Sequence, residues 1–360
     1  MGEEATKPVE RFRALDAWRG IAALVVANGH FGTTGWIGGG PLAEHPGRLV
    51  DFFFVLSGFV IAHAYRDRLA SGEVRPFLLR RVGRLWPLHL ATLAAVVAMA
   101  VAGSLIGLSV RGWTWESLPA AATLTHAWGL FRGDVWNLPS WSISTEVLAY
   151  LVFALFAARL PGRLLDLACA LIVAACFAIL LIAAPRGFFS THDYGLARCL
   201  CGFFAGVLAH TLWRSGARPK GEIAAVAATM FAIIYLPPEA GWFVVPLFVW
   251  VVLVFASEAG PVSVWLTRRF PQMLGTVSYS IYLVHYPIGV ALMTLLFIGT
   301  DLTAEVEGNG MVVATWWICD ALSVGFLAAV MLISRLTYAW IERPGRAFFN
   351  GLGEKVPAAW

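Results

Sequence analysis

Long apolar runs follow one another along almost the whole chain, with short polar segments between them. A transmembrane helix needs about 20 consecutive, mostly apolar residues. Runs that approach or exceed this length are 17–36, 50–65, 86–108, 141–158, 164–184, 195–213, 222–237, 241–257, 276–298 and 311–334. A shorter run, 117–131, is predicted to be a re-entrant or interfacial helix.

Composition supports a membrane location. Hydrophobic residues make up 59% of the 360 residues and charged residues 13%, whereas a soluble domain has about 25% charged residues. The 16 tryptophans fit the aromatic belts found at membrane–water interfaces. The sequence therefore predicts an all-α fold, a polytopic transmembrane helix bundle of about ten spans.

The basic residues fall mainly in alternate connecting segments. Lys7, Arg11 and Arg13 precede the first run, whereas residues 299–310 hold acidic residues and no basic one. By the positive-inside rule, both termini are predicted to be cytoplasmic. Because no small-residue cleavage site accompanies the first run, we expect this run to be retained as a span.

No internal repeat or low-complexity tract interrupts the sequence. We therefore expect one membrane-embedded domain over 1–360 and no appended soluble domain. The net charge of +4 is an orientation signal, so no nucleic-acid partner is predicted. The cysteines have no metal-ligand spacing, so we expect them to pack as small apolar residues and predict no metal site. They are Cys169, Cys176, Cys199, Cys201 and Cys319.

Two ionisable residues stand inside the first apolar run, where a charge is costly and usually marks a functional site. A helix places Arg19 and His30 on one face, about 16 Å apart along the axis. Asp16 precedes Arg19 by one turn and can pair with it. A buried neutral imidazole at His30 is suited to general-base catalysis. The alternatives are a headgroup contact for Arg19 and a purely structural hydrogen bond for His30.

Small residues interrupt the second run. Ser57 and Gly58 allow either a ligand or another helix backbone to approach closely. Asp51 lies at the outer end of the same run, as an interfacial carboxylate that could be a site residue or no more than a surface charge.

Arginines crowd the cytoplasmic mouth of the third run. Arg80, Arg81 and Arg84 stand close together, with Arg75 nearby. Because guanidinium groups match phosphate oxygens bidentately, the cluster predicts a site for the polyphosphate or nucleotide end of a cytosolic donor. Ordinary anchoring to anionic lipid is the alternative.

Three further ionisable residues lie in later runs or at their ends. Glu146 enters the fourth run from the outer surface, where it could orient His30 or an acceptor hydroxyl or make only a structural hydrogen bond. His285 lies in the middle of the run 276–298. Glu342, at the cytoplasmic end of the last run, is expected to pair with a nearby arginine.

Six segments, in order, resemble the acyltransferase-3 family of integral-membrane O-acyltransferases. They are LDAWRGIAALVVANGH, FFFVLSGFVI, RRVGRLWP, PSWSISTE, SYSIYLVHYPI and IERP, and they extend over residues 14 to 346. The family acts on bacterial surface glycans and related acceptors. The resemblance therefore implies a multi-pass protein of the bacterial inner membrane.

The resemblance also implies an activity and a set of site residues. An acyl group, often acetyl, would pass from cytosolic acyl-CoA to a hydroxyl of a surface polysaccharide, oligosaccharide or glycolipid. Acyl-CoA would be a co-substrate, and no tightly bound cofactor is expected. The family's essential residues correspond to Arg19 and His30, its Arg-x-x-Arg pair to Arg81 and Arg84, and its acidic positions to Glu146 and Glu342.

Other classes of membrane protein share some of these features. About ten spans with a mid-membrane histidine and glutamate also suit a proton-coupled transporter or a lipid flippase. Against a carrier, the sequence has neither an inverted repeat nor paired broken helices at matching positions. A scaffold whose polar residues only join helices is a third possibility, and the oligomeric state is not predicted.

Overall fold

The computed structural model describes residues 11–107, 113–129, 136–191, 193–306 and 309–353. The predictions that use Lys7 and the end of 117–131 lie outside these residues. The α-helices, in chain order, are α1 Arg13–Phe31, α2 Pro41–Glu44, α3 Arg48–Ala70, α4 Val74–Leu105, α5 Leu118–Ala122, α6 Ser140–Arg159, α7 Gly162–Ile182, α8 Gly195–Arg214, α9 Glu222–Tyr235, α10 Val244–Ala256, α11 Pro261–Leu266, α12 Arg269–Gly299, α13 Trp316–Thr337 and α14 Arg343–Leu352.

The helical, multi-pass architecture is confirmed. Within the described residues, 7 helices are long and apolar enough to cross a membrane, and α9 and the segment Ala240–Ala256 are shorter apolar helices. Each predicted run overlaps a helix, including the first run, where α1 carries Arg13, Asp16 and Arg19. The count of ten spans and the cytoplasmic position of both termini stay predictions.

A small β-hairpin departs from the all-helical prediction. Strand β1, Thr303–Val306, pairs antiparallel with β2, Asn309–Val312. Val312 also bonds to the turn after α1, where its amide donates to the Gly32 carbonyl at 3.1 Å. As a result α13 begins only at Trp316, a few residues after the start of the predicted run 311–334.

Glycines allow two helix backbones to approach closely in the core. A Cβ on Gly20 of α1 would lie 2.3 Å from the carbonyl carbon of Leu274 in α12. A Cβ on Gly275 would lie 2.5 Å from the backbone carbonyl oxygen of Asp16. The missing side chains therefore let the two backbones touch, as small residues do in membrane helix pairs. The predicted packing role of the cysteines agrees with the structure, since all five are free and buried.

The last two described helices, α13 and α14, are joined by a wide helical turn. A π-helical segment, Tyr338–Glu342, joins α13 to α14. Pro344 lies two residues beyond this segment. Having no N–H, it cannot bond to the carbonyl four residues before it; a π-bulge absorbs such a defect and often lies at a functional site. Beyond it, Gly345 lies against Pro87 of α4, close enough that a Cβ would stand 2.6 Å from that ring.

Candidate active site

A narrow cavity of about 140 Å³ lies between α1, α3, α4, α6 and α12. Arg19, Arg81, Arg84, Glu146 and Ser57 line it together. The remaining lining side chains are Phe53, Phe54, Leu56, Val60, Ile61, Leu85, Ser142, Ile143, Tyr150, Ser278, Tyr279 and Tyr282. Residues that the sequence presents in four separate motifs therefore share one cavity.

Arg19 is held at the α1–α12 contact. Its Nε donates to the Ser278 hydroxyl at 2.8 Å and its Nη2 to the Gly275 carbonyl at 3.1 Å. The predicted pair with Asp16 is present at 3.2 Å, and Asp16 is buried. Because one carboxylate and two neutral oxygens fix the guanidinium, Arg19 presents a rigid positive group to the cavity instead of reaching toward headgroups.

Two arginines of α4 enter the cavity in different ways. Arg84 forms an ion pair with Glu342, which is 1% exposed and also accepts hydrogen bonds from Arg346 and from the Ser280 hydroxyl at 2.7 Å. Arg81 instead lies near the rings of Tyr65, Phe77 and Tyr150, at 5.2 to 5.9 Å from their centroids.

Arg81 has a hydrogen-bond donor without a partner among the described residues. No carboxylate lies within ion-pair distance of it in the described part of the chain, and its buried Nε has no hydrogen-bond partner there. A half-buried guanidinium in this state is a ready site for an anion. Arg80, in the neighbouring position, is half-buried but does not line the cavity.

Glu146 is the only carboxylate among the described residues that line the cavity. Its Oε1 accepts hydrogen bonds from the Ser57 hydroxyl and from the Tyr150 hydroxyl, the latter at 2.6 Å. The two hydroxyls are themselves 3.1 Å apart. Ser57 and Glu146 are thus joined across the α3–α6 contact, whereas Glu146 makes no contact with His30.

His30 lies outside this cavity, in the last turn of α1. Gly32, with φ of +64°, ends the helix just beyond it. Its side chain lies at the surface of the helix bundle, because it sits at the end of α1, while its Nδ1 faces α12; its depth in the membrane stays a prediction. Its partner, His285 of α12, is buried with 0% exposure, and His285 Nε2 lies 2.9 Å from His30 Nδ1.

Asp51 and Gly58 face the interior of the bundle rather than the cavity. Asp51 is 0% exposed and pairs with Arg198 of α8 through two bonds of 2.8 and 2.7 Å. A Cβ on Gly58 would overlap the Phe203 carbonyl of α8. For Gly58 this contact favours helix packing over a ligand contact. The prediction that Asp51 is an interfacial carboxylate is wrong, because its charge is buried and neutralised by Arg198 inside the bundle.

Sequence reasoning missed several residues of these clusters. Tyr150 lies one helical turn after Glu146, so the i, i+4 spacing could have identified it. Ser278 belongs to a quoted motif, SYSIYLVHYPI, but the sequence does not say which neighbour it contacts. Arg198 was overlooked, although an arginine within the apolar run 195–213 is itself a sign of a buried partner.

The cavity combines three guanidinium groups, one carboxylate and several hydroxyls with an apolar wall. Such a lining suits a ligand with an anionic end and a slender neutral arm. Among the lining residues, the Ser142 hydroxyl and Tyr282 hydroxyl are 2.8 Å apart, and the Tyr282 ring centroid lies 6.0 Å from that of His285. The histidine pair therefore stands next to the cavity.

The chain is similar to known membrane acyltransferases. The putative membrane-bound transacylase BcsY of Komagataeibacter xylinus is 29% identical over 95% of this chain and 85% of its own length. The exopolysaccharide production protein ExoZ of Rhizobium meliloti (strain 1021) is 29% identical over 71% of this chain and 80% of its own.

A third relative is the peptidoglycan O-acetyltransferase OatA of Listeria monocytogenes, which is 24% identical over 96% of this chain but only 58% of its own length. No solved structure matches the chain. A family model described as an acyltransferase domain matches residues 12–335. With the match covering nearly the whole chain and the family's motifs gathered around one cavity, the protein belongs to the acyltransferase-3 family of membrane acyltransferases.

Proposed function

We propose that this protein transfers an acyl group, most simply acetyl, from cytosolic acyl-CoA to a hydroxyl of a surface polysaccharide, oligosaccharide or glycolipid. It would act in the inner membrane of a bacterium. The acceptor class follows from two relatives, one named for exopolysaccharide production and one for peptidoglycan O-acetylation. The name of the second relative also supports acetyl as the acyl group.

The observation that carries the donor assignment is the charge of the cavity. Arg19 and Arg84 already have carboxylate partners, whereas Arg81 has none among the described residues. A phosphate of the donor would supply that missing anion, since guanidinium–phosphate bonds are charge-assisted and often bidentate. The pantetheine arm, which is neutral and thin, would then follow the aromatic wall toward Tyr282.

His30 is the proposed general base. The acceptor hydroxyl gives its proton to the imidazole while its oxygen attacks the thioester carbonyl, so that the new O–C bond forms and the C–S bond breaks. The proton then passes to the departing thiolate, giving free CoA. Base assistance of this kind is worth about 10²–10⁴ in rate. Because the His30 side chain lies at the surface of the bundle, at the predicted outer end of α1, we expect an acceptor to reach it without entering the cavity.

The assay would use purified protein in proteoliposomes, with release of free CoA thiol and transfer of radioactive acetyl followed together. We expect Arg81→Gln to raise the donor KM about ten-fold or more, the loss expected for a hydrogen bond between charged groups. His30→Gln should abolish transfer while donor binding persists. Wild-type activity in both variants would refute the proposed function.

A matched control distinguishes the loss of a specific donor contact from the loss of one positive charge in general. Arg163 is an exposed arginine at the start of α7, at the same predicted membrane face. Arg163→Gln removes one positive charge, as Arg81→Gln does, but leaves the cavity intact. Equal increases in donor KM for the two variants would mean that Arg81 has no specific donor contact.

A further inference from the structure

We propose that His285 is a positioning residue that fixes the proton of His30 on Nδ1, so that Nε2 of His30 is the basic nitrogen. This inference deepens the proposed function and rests on it for its catalytic meaning. Its structural content, the protonation pattern of two imidazoles, can be measured without any acyl transfer.

The pattern follows from which atoms can donate. His285 Nδ1 lies 3.1 Å from the Ile281 carbonyl oxygen, and a carbonyl oxygen only accepts. His285 Nδ1 therefore carries the hydrogen. In a neutral imidazole the other nitrogen is then an acceptor, so His285 Nε2 accepts from the nitrogen 2.9 Å away, Nδ1 of His30. The remaining nitrogen of His30, Nε2, is left with a free lone pair.

The ring geometry fits a real hydrogen bond. The two ring planes are within 8° of parallel and their centroids are 5.1 Å apart, while the bonded nitrogens are only 2.9 Å apart. The rings therefore meet edge to edge. The N–H and the lone pair of an imidazole both lie in the ring plane, so this arrangement points the hydrogen of one ring at the lone pair of the other.

The neutral state of His285 follows from its surroundings. It is 0% exposed, and within the described residues no carboxylate pairs with either imidazole. A buried imidazolium without a counter-ion would carry a large desolvation cost. The Ile281 carbonyl and the His285 imidazole thus orient His30 as the carboxylate orients the histidine of a Ser-His-Asp triad. Unlike the carboxylate, both groups are neutral before the reaction.

The helix contact keeps the two rings in register. Gly20 of α1 meets Gly275 of α12, and His30 meets His285 after the same number of residues along each helix. The two helices therefore run in the same direction at constant register over this distance. When His30 takes the acceptor proton, its Nδ1–H bond to His285 becomes charge-assisted, which stabilises the imidazolium.

The direct test is nitrogen-15 NMR of histidine-labelled protein in nanodiscs, with the His30 signals assigned by their loss in His30→Gln. We expect His30 to carry its hydrogen on Nδ1 and to leave Nε2 unprotonated near neutral pH. In His285→Leu, which removes the acceptor, the hydrogen should redistribute between the two nitrogens. A wild-type His30 protonated on Nε2 would overturn the inference.

Kinetic measurements provide a second test, because a purely structural role of His285 would not produce the rate changes expected here. His285→Leu should lower kcat about 10²-fold or more with the donor KM unchanged, because a base in the wrong tautomer loses its function. Glutamine at 285 can still accept from His30 and donate to Ile281, so His285→Gln should be at least about ten-fold more active than His285→Leu. Equal activities would overturn the inference. If His30 has the expected tautomer but the protein transfers no acyl group, only the proposed function is refuted.

Discussion

A substitution at Gly20 would push apart α1 and α12, the helices that carry His30 and His285. In Gly20→Ala the new Cβ would stand 2.3 Å from the Leu274 carbonyl carbon and 2.5 Å from the Gly275 nitrogen. Ordinary carbon–carbon contact begins at about 3.5 Å, so α1 and α12 must separate by about 1 Å. These neighbours are backbone atoms of a long helix and cannot give way by a side-chain rotation.

The separation should affect both stability and catalysis. Overpacking of this kind costs about 1–3 kcal/mol in the free energy of unfolding. A shift of about 1 Å would also stretch the 2.9 Å His30–His285 contact beyond hydrogen-bond range and can cost about 10² in rate. We therefore expect Gly20→Ala to fold with a lower thermal midpoint and to lose most of its acyl transfer at saturating donor.

Gly325 provides the matched control. It lies on the exposed face of α13, and a Cβ there would meet nothing within 4 Å. Gly325→Ala makes the same chemical change in a helix and should leave the rate unaltered. Initial rates in proteoliposomes and thermal midpoints in detergent would be measured for both variants. Wild-type values for Gly20→Ala would refute the claim that close backbone contact aligns the site.

Three further predictions follow from the buried ionisable groups. Glu342→Gln leaves two arginines without their carboxylate and should lower the unfolding free energy by about 3–5 kcal/mol; a variant with wild-type thermal stability would contradict this. Asp51→Leu should destabilise by a similar amount, and adding Arg198→Leu should recover stability, because the stranded charge is then removed; a double-mutant cycle without coupling would show that the pair is not a unit. Glu146→Gln removes the negative charge from a cavity with three guanidinium groups, so an anionic donor should bind at least as well and its KM should not rise; an increase in donor KM would assign Glu146 to donor binding.

The positions of the helices could be predicted closely, whereas their ends were less certain. Apolar length sets a helix in a membrane because every backbone group must be satisfied within the segment. The start of α13 was misplaced because residues 309–312 pair as a strand, and nothing in the apolar run 311–334 marks that pairing. The π-helical segment before Pro344 was likewise not expected, although the proline gave a reason for it.

The sequence alone determined that the chain is a helical membrane protein and which residue types carry its chemistry, because ionisable residues stand out against apolar runs. It also determined contacts within one helix, such as Asp16 with Arg19, since the helical period fixes them. Only the tertiary structure decided that His30 is exposed and bonded to His285, that Arg84 rather than Arg81 pairs with Glu342, and that Asp51 meets Arg198. The physical reason is that register between helices depends on where small side chains let backbones touch, a property of two surfaces together rather than of either segment.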